Sequence, residues 1–395
     1  MSTWNDNQCA ADSALPGLRI LDFSRVLAGP FATMMLADLG AEVIKIERPG
    51  SGDETRAWGP PYDTAGRSTY FDAVNRNKRS LALDFASPAG LAHARALAAE
   101  ADVVVENFRP GLLDELGLGY RELRAVNPRL IYCSITGFGR TEQAAALPGY
   151  DLLVQALGGL MSITGERAGE PQKVGVALVD VLAGLFATVG VLAALNHRHS
   201  SGEGQLIEVD LLSSLLAALV NQASSYTIAG VVPERMGSEH PSIAPYAVFR
   251  TREGELVLAV GNDRQFQVLC DVLGAPQLAG DLRYATNPER VANRQTLREE
   301  LDSLLAARPA REWASQLTDA RVPAGVVNDI AAAFDLARSL GLNPLVDLPD
   351  EGGSGVRLPK NPIGLSATPP TYRSAPPRLP TASAEPDPDA SVSAG

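Results

Sequence analysis

The sequence predicts an α/β fold: a Rossmann-like parallel sheet covered by helices, followed by a smaller α+β domain. Three observations carry this expectation. Residues 18–47 read strand, helix, strand with short connections, a βαβ unit that brings parallel strands together. The same alternation recurs as far as residue 229. After Gly230 the pattern changes to a hairpin with helices behind it.

Each element has a local reason. Residues 18–23 are a strand, and a helix over 31–39 follows, with Pro30 suited to its first turn. Gly40 ends that helix, and 41–47 is the second strand. A strand over 79–85 leads to Ser87-Pro88, which cap a helix running to about Glu100, and 102–107 is the next strand. A helix over 121–126, a strand over 130–134 and a loop through Gly137 and Gly139 come next. Residues 205–209 form one more strand and 211–229 a helix. In the smaller domain, 247–250 and 255–260 flank the hairpin signal Thr251-Arg252-Glu253-Gly254, with helices over 263–273 and 288–305. A strand at 324–327 and a helix at 330–340 are expected to return to the large domain. The domains expected are therefore 1–225 with 320–375, then 230–315, then a disordered tail rich in Pro, Ser and Ala at 376–395.

Composition narrows the function classes. With 395 residues, 45% hydrophobic and 20% charged, the chain has room for two cores of ordinary enzyme composition. A formal net charge of −12 argues against nucleic acid or an anionic membrane as a partner. Cys9, Cys133 and Cys270 are far apart and form no CxxC, so neither a disulfide framework nor a zinc site is expected, and the setting is a reducing cytoplasm. His197 and His199 read as a solvated helix end, and no metal is expected. Residues 1–13 are polar and carry no signal peptide. The first βαβ unit lacks GxGxxG, which speaks against a dinucleotide-dependent hydride transfer.

One carboxylate stands out. From Val174 to Leu195 the only charged side chain is Asp180, and burying an unpaired charge is costly. Downstream, Val181, Leu182, Leu185, Val189, Leu192 and Leu195 fall at helical spacing, so Asp180 sits at or just before a helix N-terminus, where backbone N–H groups could keep it ionised. An anionic carboxylate in an apolar setting suits a nucleophile. An N-cap role alone would also account for it, and spacing does not choose between them. The run has the length of a membrane span, but an Asp within it would cost a few kcal/mol, and a buried core helix is the better reading.

Strand-to-loop junctions at the carboxyl edge of a parallel sheet are where ligands bind. Here they carry Arg25 with Ala28-Gly29, then Arg48, then Asn107-Phe108-Arg109, with the basic cluster Asn75-Arg76-Asn77-Lys78-Arg79 nearby. Local cations on an acidic chain suggest a phosphate-bearing ligand.

Four stretches then combine into a resemblance. Leu21-Asp22-Phe23-Ser24-Arg25-Val26-Leu27-Ala28-Gly29-Pro30, Glu42-Val43-Ile44-Lys45-Ile46-Glu47-Arg48-Pro49, Asn77-Lys78-Arg79-Ser80 and Val104-Val105-Glu106-Asn107-Phe108-Arg109-Pro110-Gly111 resemble, in order, the family III CoA-transferases, the family of formyl-CoA transferase and the carnitine CoA-transferase. The similarity runs from about residue 15 to about 370. It implies a large α/β domain, a small domain, and a homodimer of two chains threaded as linked rings. It implies that Asp180 is the nucleophile, forming an aspartyl anhydride and then an aspartyl-CoA thioester. Arg25, Val26, Leu27, Ala28, Arg48, Asn107 and Phe108 match coenzyme A contacts, and Tyr150 and Asp151 match positions lining the active site. No resident cofactor is implied; the acyl-CoA thioester is substrate.

The chain departs from formyl-CoA transferase in carrying Arg25 where that enzyme has His, and Met236-Gly237-Ser238-Glu239-His240-Pro241-Ser242 in place of an evident glycine-rich loop. Formate and oxalate are therefore not the expected acids. Residues 237–246 and Val260-Gly261-Asn262-Asp263-Arg264-Gln265-Phe266 look more like the branch moving CoA from succinyl-CoA to dicarboxylates such as glutarate. Two rivals stand beside this. The related α-methylacyl-CoA racemases use a His-Asp pair where this chain has Tyr150-Asp151, and a neutral tyrosine is a poor base. A non-catalytic CoA-binding protein is the other, and an intact Asp180 argues against it.

Overall fold

The computed structural model describes residue 4 and residues 12–85, 87–349 and 355–380. Strands β1 (Arg19–Asp22), β2 (Glu42–Glu47), β3 (Lys78–Ala82), β4 (Val103–Glu106), β5 (Ile131–Thr136) and β6 (Leu206–Asp210) form one sheet in the order β3-β2-β1-β4-β5-β6. Every pairing in it is parallel. This is the doubly wound order, whose crossovers diverge on either side of the β1–β4 pair and leave a crevice at its carboxyl edge. β2, β4 and β5 are buried along their whole length, as strands covered on both faces must be.

The helices of this part of the chain are α1 (Ala28–Asp38), α2 (Pro88–Glu100), α3 (Tyr120–Val126), α4 (Asp151–Leu157), α5 (Leu178–Ser201), α6 (Leu211–Ala218) and α7 (Val220–Ala229), the last with no buried residue. α1 begins before the expected position because Pro30, within its first turn, gives up an N–H that has no partner there. α2 starts as expected: the Ser87 hydroxyl accepts from Gly90 N at 3.1 Å. α5 lies against α1 at Gly184, where a Cβ would come within 2.6 Å of the Ala28 carbonyl.

α5 is long and apolar enough to cross a membrane by length and composition. Of the core helix expected, one face packs on α1, α6 and the sheet. The other face exposes Leu185, Phe186, Val189 and Leu192.

The chain divides into two compact units, Met1–Gly158 with Val174–Thr227 and Pro344–Gly395, and Gly159–Lys173 with Ile228–Asn343. In the second, β7 (Tyr246–Arg250), β8 (Glu255–Ala259) and β9 (Ala324–Val326) form an antiparallel sheet. α8 (Asp263–Val272), α9 (Asn287–Ala292), α10 (Arg294–Leu305) and α11 (Ala310–Asp319) accompany it, and Phe249, Leu258, Phe266, Leu269 and Trp313 meet in its core. α12 (Ile330–Ser339) follows β9.

Two expected boundaries are corrected. Residues 324–340 do not return to the large domain, because β9 pairs with β8 and completes the small sheet. Residues 159–173 also belong to the second unit, tied to it by Gly237 N donating to Gly165 O at 3.0 Å and Arg235 to Gly169 O at 3.0 Å. Single helices expected over 211–229 and 288–305 are each broken in two.

Back in the first unit, β10 (Leu345–Leu348) pairs antiparallel with β11 (Val356–Pro359). The stretch after β11 is bonded to the start of the sheet. Thr371 N donates to Asp38 O at 2.7 Å, Arg373 Nη2 to Ala37 O and Ala41 O at 3.0 and 2.9 Å, and Arg56 Nη2 to Pro377 O at 3.0 Å. Of the tail expected over 376–395, residues 381–395 lie outside the described residues, as does Cys9.

Candidate active site

The carboxyl ends of β1, β4, β5 and β6 open into one cleft of about 370 Å³. The loop after β1 contributes Arg25, Val26 and Leu27 with Ala28, the loop after β4 Asn107 and Phe108, and the loop after β5 Thr136 and Gly137. Tyr150, Asp151 and Asp180 line its far side. A neighbouring cleft of about 240 Å³ is lined by Arg48, Gly52, Asp84 and Phe85 and shares Arg25 and Phe108 with the first. The Arg25 guanidinium lies over the Phe108 ring at 4.8 Å, so cation and aromatic face form a divider between the two spaces.

No side chain caps α1, whose first turn faces the larger cleft through Leu27 and Ala28. The loop leading into it is held from below. Asn107 brackets the Arg25 backbone, Arg25 N donating to its Oδ1 at 2.8 Å and its Nδ2 donating to Arg25 O at 2.7 Å. Asn107, matched above to a ligand contact, thus spends these side-chain groups on the neighbouring loop. Beneath lie two fully buried ion pairs, Lys78–Asp22 at 3.2 Å and Lys45–Asp53 at 2.9 Å. Burial pushes the Asp22 carboxyl up, but Lys78, Lys45, Ser24 and Thr33 outweigh it and hold the group below its ordinary value. Asp53 follows the same pattern through Lys45 and Thr55.

Among the described residues, no cation acts on the carboxylate of the wall opposite. Asp180 is the third residue of α5, with Ala177 at the N-cap. Burial, with a smaller contribution from the Asp151 carboxylate, pushes its pKa up to about 7. Backbone N–H groups were expected to keep Asp180 ionised; the structure assigns them otherwise. Val179 N and Asp180 N both donate to Asp151 Oδ1, at 2.8 and 3.3 Å, so Asp151 serves as the distant cap of α5. Gln155, wholly buried, fixes Asp151 in turn. Its Nε2 donates to Asp151 Oδ2 at 2.6 Å and its Oε1 accepts from Val174 N at 2.9 Å, tying α4 to the segment that enters α5. Asp151 and Gln155 are four apart on one helix, a spacing that could have flagged the pair. Gly137 and Gly149 meet across the cleft floor, where a Cβ on Gly137 would lie 2.4 Å from the Gly149 Cα.

One site reading is corrected. The cluster Asn75–Arg79 reads in the sequence as cations for a phosphate, but none of it lines either cleft. Arg76 is buried in a bidentate pair with Asp38 at 2.9 and 2.7 Å, Lys78 is buried on Asp22, and Arg79 pairs with Glu42 at 3.1 Å. These charges tie β3 and the residues just before it to β1, β2 and the end of α1. Residues 236–242, noted above as standing where a glycine-rich loop was sought, lie in the second unit. Among the described residues, no group of three or more His, Cys, Asp or Glu side chains is placed to hold a metal ion.

Comparison with known proteins is consistent across the chain. The model of CoA-transferase family III matches residues 15–381. A succinate–glutarate CoA-transferase from Agrobacterium fabrum is 45% identical over 92% of this chain and 92% of its own length. An acetyl-CoA:oxalate CoA-transferase from Acetobacter aceti is 41% identical over 89% of this chain and 88% of its own. The crystal structure of a CaiB/BaiF family protein from Brucella suis superimposes with a TM-score of 0.83 at 42% identity, covering 95% of this chain and 97% of that one.

Proposed function

Because the chain belongs to CoA-transferase family III, we propose that it moves CoA from an acyl-CoA, succinyl-CoA or a similar donor, to a dicarboxylate. One observation carries the reading: Asp180, a carboxylate with no cation acting on it among the described residues, opens into the cleft at the sheet's carboxyl edge beside the uncapped start of α1. An Asp180 oxygen attacks the thioester carbonyl, the C–S bond breaks, and CoA thiolate leaves a mixed anhydride. The thiolate attacks the Asp180 acyl carbon, releasing the donor acid and forming an aspartyl-CoA thioester. The acceptor carboxylate attacks that carbon and displaces thiolate, which then attacks the acceptor's acyl carbon and frees Asp180. Each step exchanges groups of similar energy. In this reading the N–H groups of the first turn of α1 stabilise the developing oxyanions, each well-aimed donor contributing a few kcal/mol.

In this reading coenzyme A lies along Arg25 to Ala28 and Phe108, with Arg48 on its charged end in the neighbouring cleft, and Tyr150 and Asp151 beside the acyl group. The relatives named for glutarate and for oxalate support a dicarboxylate, and oxalate, set aside above on Arg25 and on residues 236–242, returns as a candidate. The exposed apolar face of α5 supports a homodimer in which a second copy covers Leu185, Phe186 and Val189, with the two chains linked as rings. Cys133 and Cys270, both free and buried, fit a cytoplasmic setting.

The test is mass spectrometry of CoA esters after mixing the protein with succinyl-CoA and a panel of mono- and dicarboxylic acids. A new acyl-CoA matching one acid, absent with Asp180→Ala, is expected. Deuterium appearing at the α-carbon of a 2-methylacyl-CoA, with no transfer, would replace this reading with an isomerase. Light scattering giving a monomer would remove the dimer.

A further inference from the structure

Between β1 and α1 the chain makes a turn that no regular structure holds. Val26 sits at its centre with φ of 66°, in the left-handed region that β-branched residues avoid. The ends of the turn do not bond each other directly. Ser24 O accepts from Lys45 Nζ at 2.8 Å, Lys45 Nζ pairs with Asp53 Oδ2 at 2.9 Å, and that carboxylate accepts from Val26 N at 3.2 and 3.4 Å. One buried ion pair therefore closes the turn from Ser24 C=O to Val26 N–H. Asp53 is itself fixed from the other side. Thr55 N and Oγ1 donate to its Oδ1 at 3.0 and 2.8 Å, and its own N–H donates to Glu47 Oε2 at 2.8 Å.

We propose that Asp53, acting with Lys45, is a positioning residue of the transfer reaction: it holds Val26 left-handed and so aims the uncapped first turn of α1 into the cleft that Asp180 faces. The proposal rests on the reading above that this cleft takes an acyl-CoA. Without Asp53 the turn opens, Val26 relaxes toward negative φ, and Leu27 and Ala28 leave the cleft wall. A pair that served stability alone would have no need of a strained valine between its partners.

A double-mutant cycle separates the two roles, because glycine takes positive φ freely. Asp53→Asn is expected to lower kcat/KM for the acyl-CoA about tenfold, the size of a left-handed penalty of about 1.4 kcal/mol. The KM for the acceptor acid should move less than about twofold. In a Val26→Gly background the same substitution should cost less than about threefold, since the turn no longer needs to be forced. CoA affinity measured by calorimetry should follow the same pattern. An equal loss in both backgrounds overturns the proposal, because Asp53 would then act without Val26. If Asp53→Asn alone does not fold, Lys45→Met/Asp53→Asn removes the unpaired ammonium and the comparison is repeated with and without Val26→Gly. Failure of that pair to fold overturns it too, making the ion pair a folding requirement. Wild-type protein that neither transfers nor binds CoA would instead refute the functional reading, and the proposal with it.

Discussion

The two walls of the cleft are built from the same residue type and hold it in opposite states. Under the β1 loop, Asp22 and Asp53 are deeply buried, and each has a lysine within 3.2 Å that keeps it ionised. At the start of α5, the charged neighbour that acts on Asp180 is the Asp151 carboxylate, and the Asp180 pKa rises to about 7. Burial acts the same way on all three; the partner decides the sign. The paired carboxylates support a loop, and the unpaired one is free for chemistry.

The comparison breaks most visibly at its two extremes. Asp180→Ala should reduce CoA transfer by at least about 10³-fold, measured by acyl-CoA formation, while CoA affinity stays within a few-fold, since nothing replaces a covalent nucleophile. On the other wall, Lys78→Met strands Asp22 in the interior and should cost about 3–5 kcal/mol in urea unfolding. Adding Asp22→Asn should recover most of that loss.

Smaller effects sharpen the contrast. With Asp180 at about 7 in the free enzyme, log kcat/KM for the acyl-CoA should climb with about unit slope below pH 7 and level above it. Asp151→Asn removes the neighbouring negative charge, so that midpoint should move to lower pH, whereas a purely structural cap would leave it in place. Stability carries the same signature with the sign reversed from the paired groups. Because its folded pKa lies above the unfolded one, Asp180 costs stability as pH rises from about 4 to about 7. Asp180→Asn should therefore raise the melting temperature at pH 8 and change it little at pH 4.

Much of the first wall was legible in the sequence. The βαβ periodicity of residues 18–47 depends on local pattern, and Arg25 to Ala28 and Asn107-Phe108 follow once strands end where apolar runs end. What was not legible came from partners distant in the chain. Arg76, Lys78 and Arg79 looked like free cations because Asp38, Asp22 and Glu42 lie on other elements. For Asp180 the spacing left cap and nucleophile open, because nothing local shows that Asp151 supplies the cap from α4. β9 is three residues long, and only its pairing with β8 reveals which sheet it joins. The helix over 211–229 breaks where Val220 takes a φ of 41°, and the one over 288–305 at Asn293, a weak helix former.

The stretch Thr371–Pro377 is a late arrival that completes early structure. Its bonds reach Ala37, Asp38, Ala41, Arg56 and Asn77, all within the first fifth of the chain. During synthesis those groups wait for roughly 300 further residues to emerge, about 15–60 s at ordinary elongation rates. Throughout that interval the edge strand β3 and the end of α1 lack their last clasp. These bonds to the end of α1 and the start of β3 can therefore form only after translation has passed Pro377.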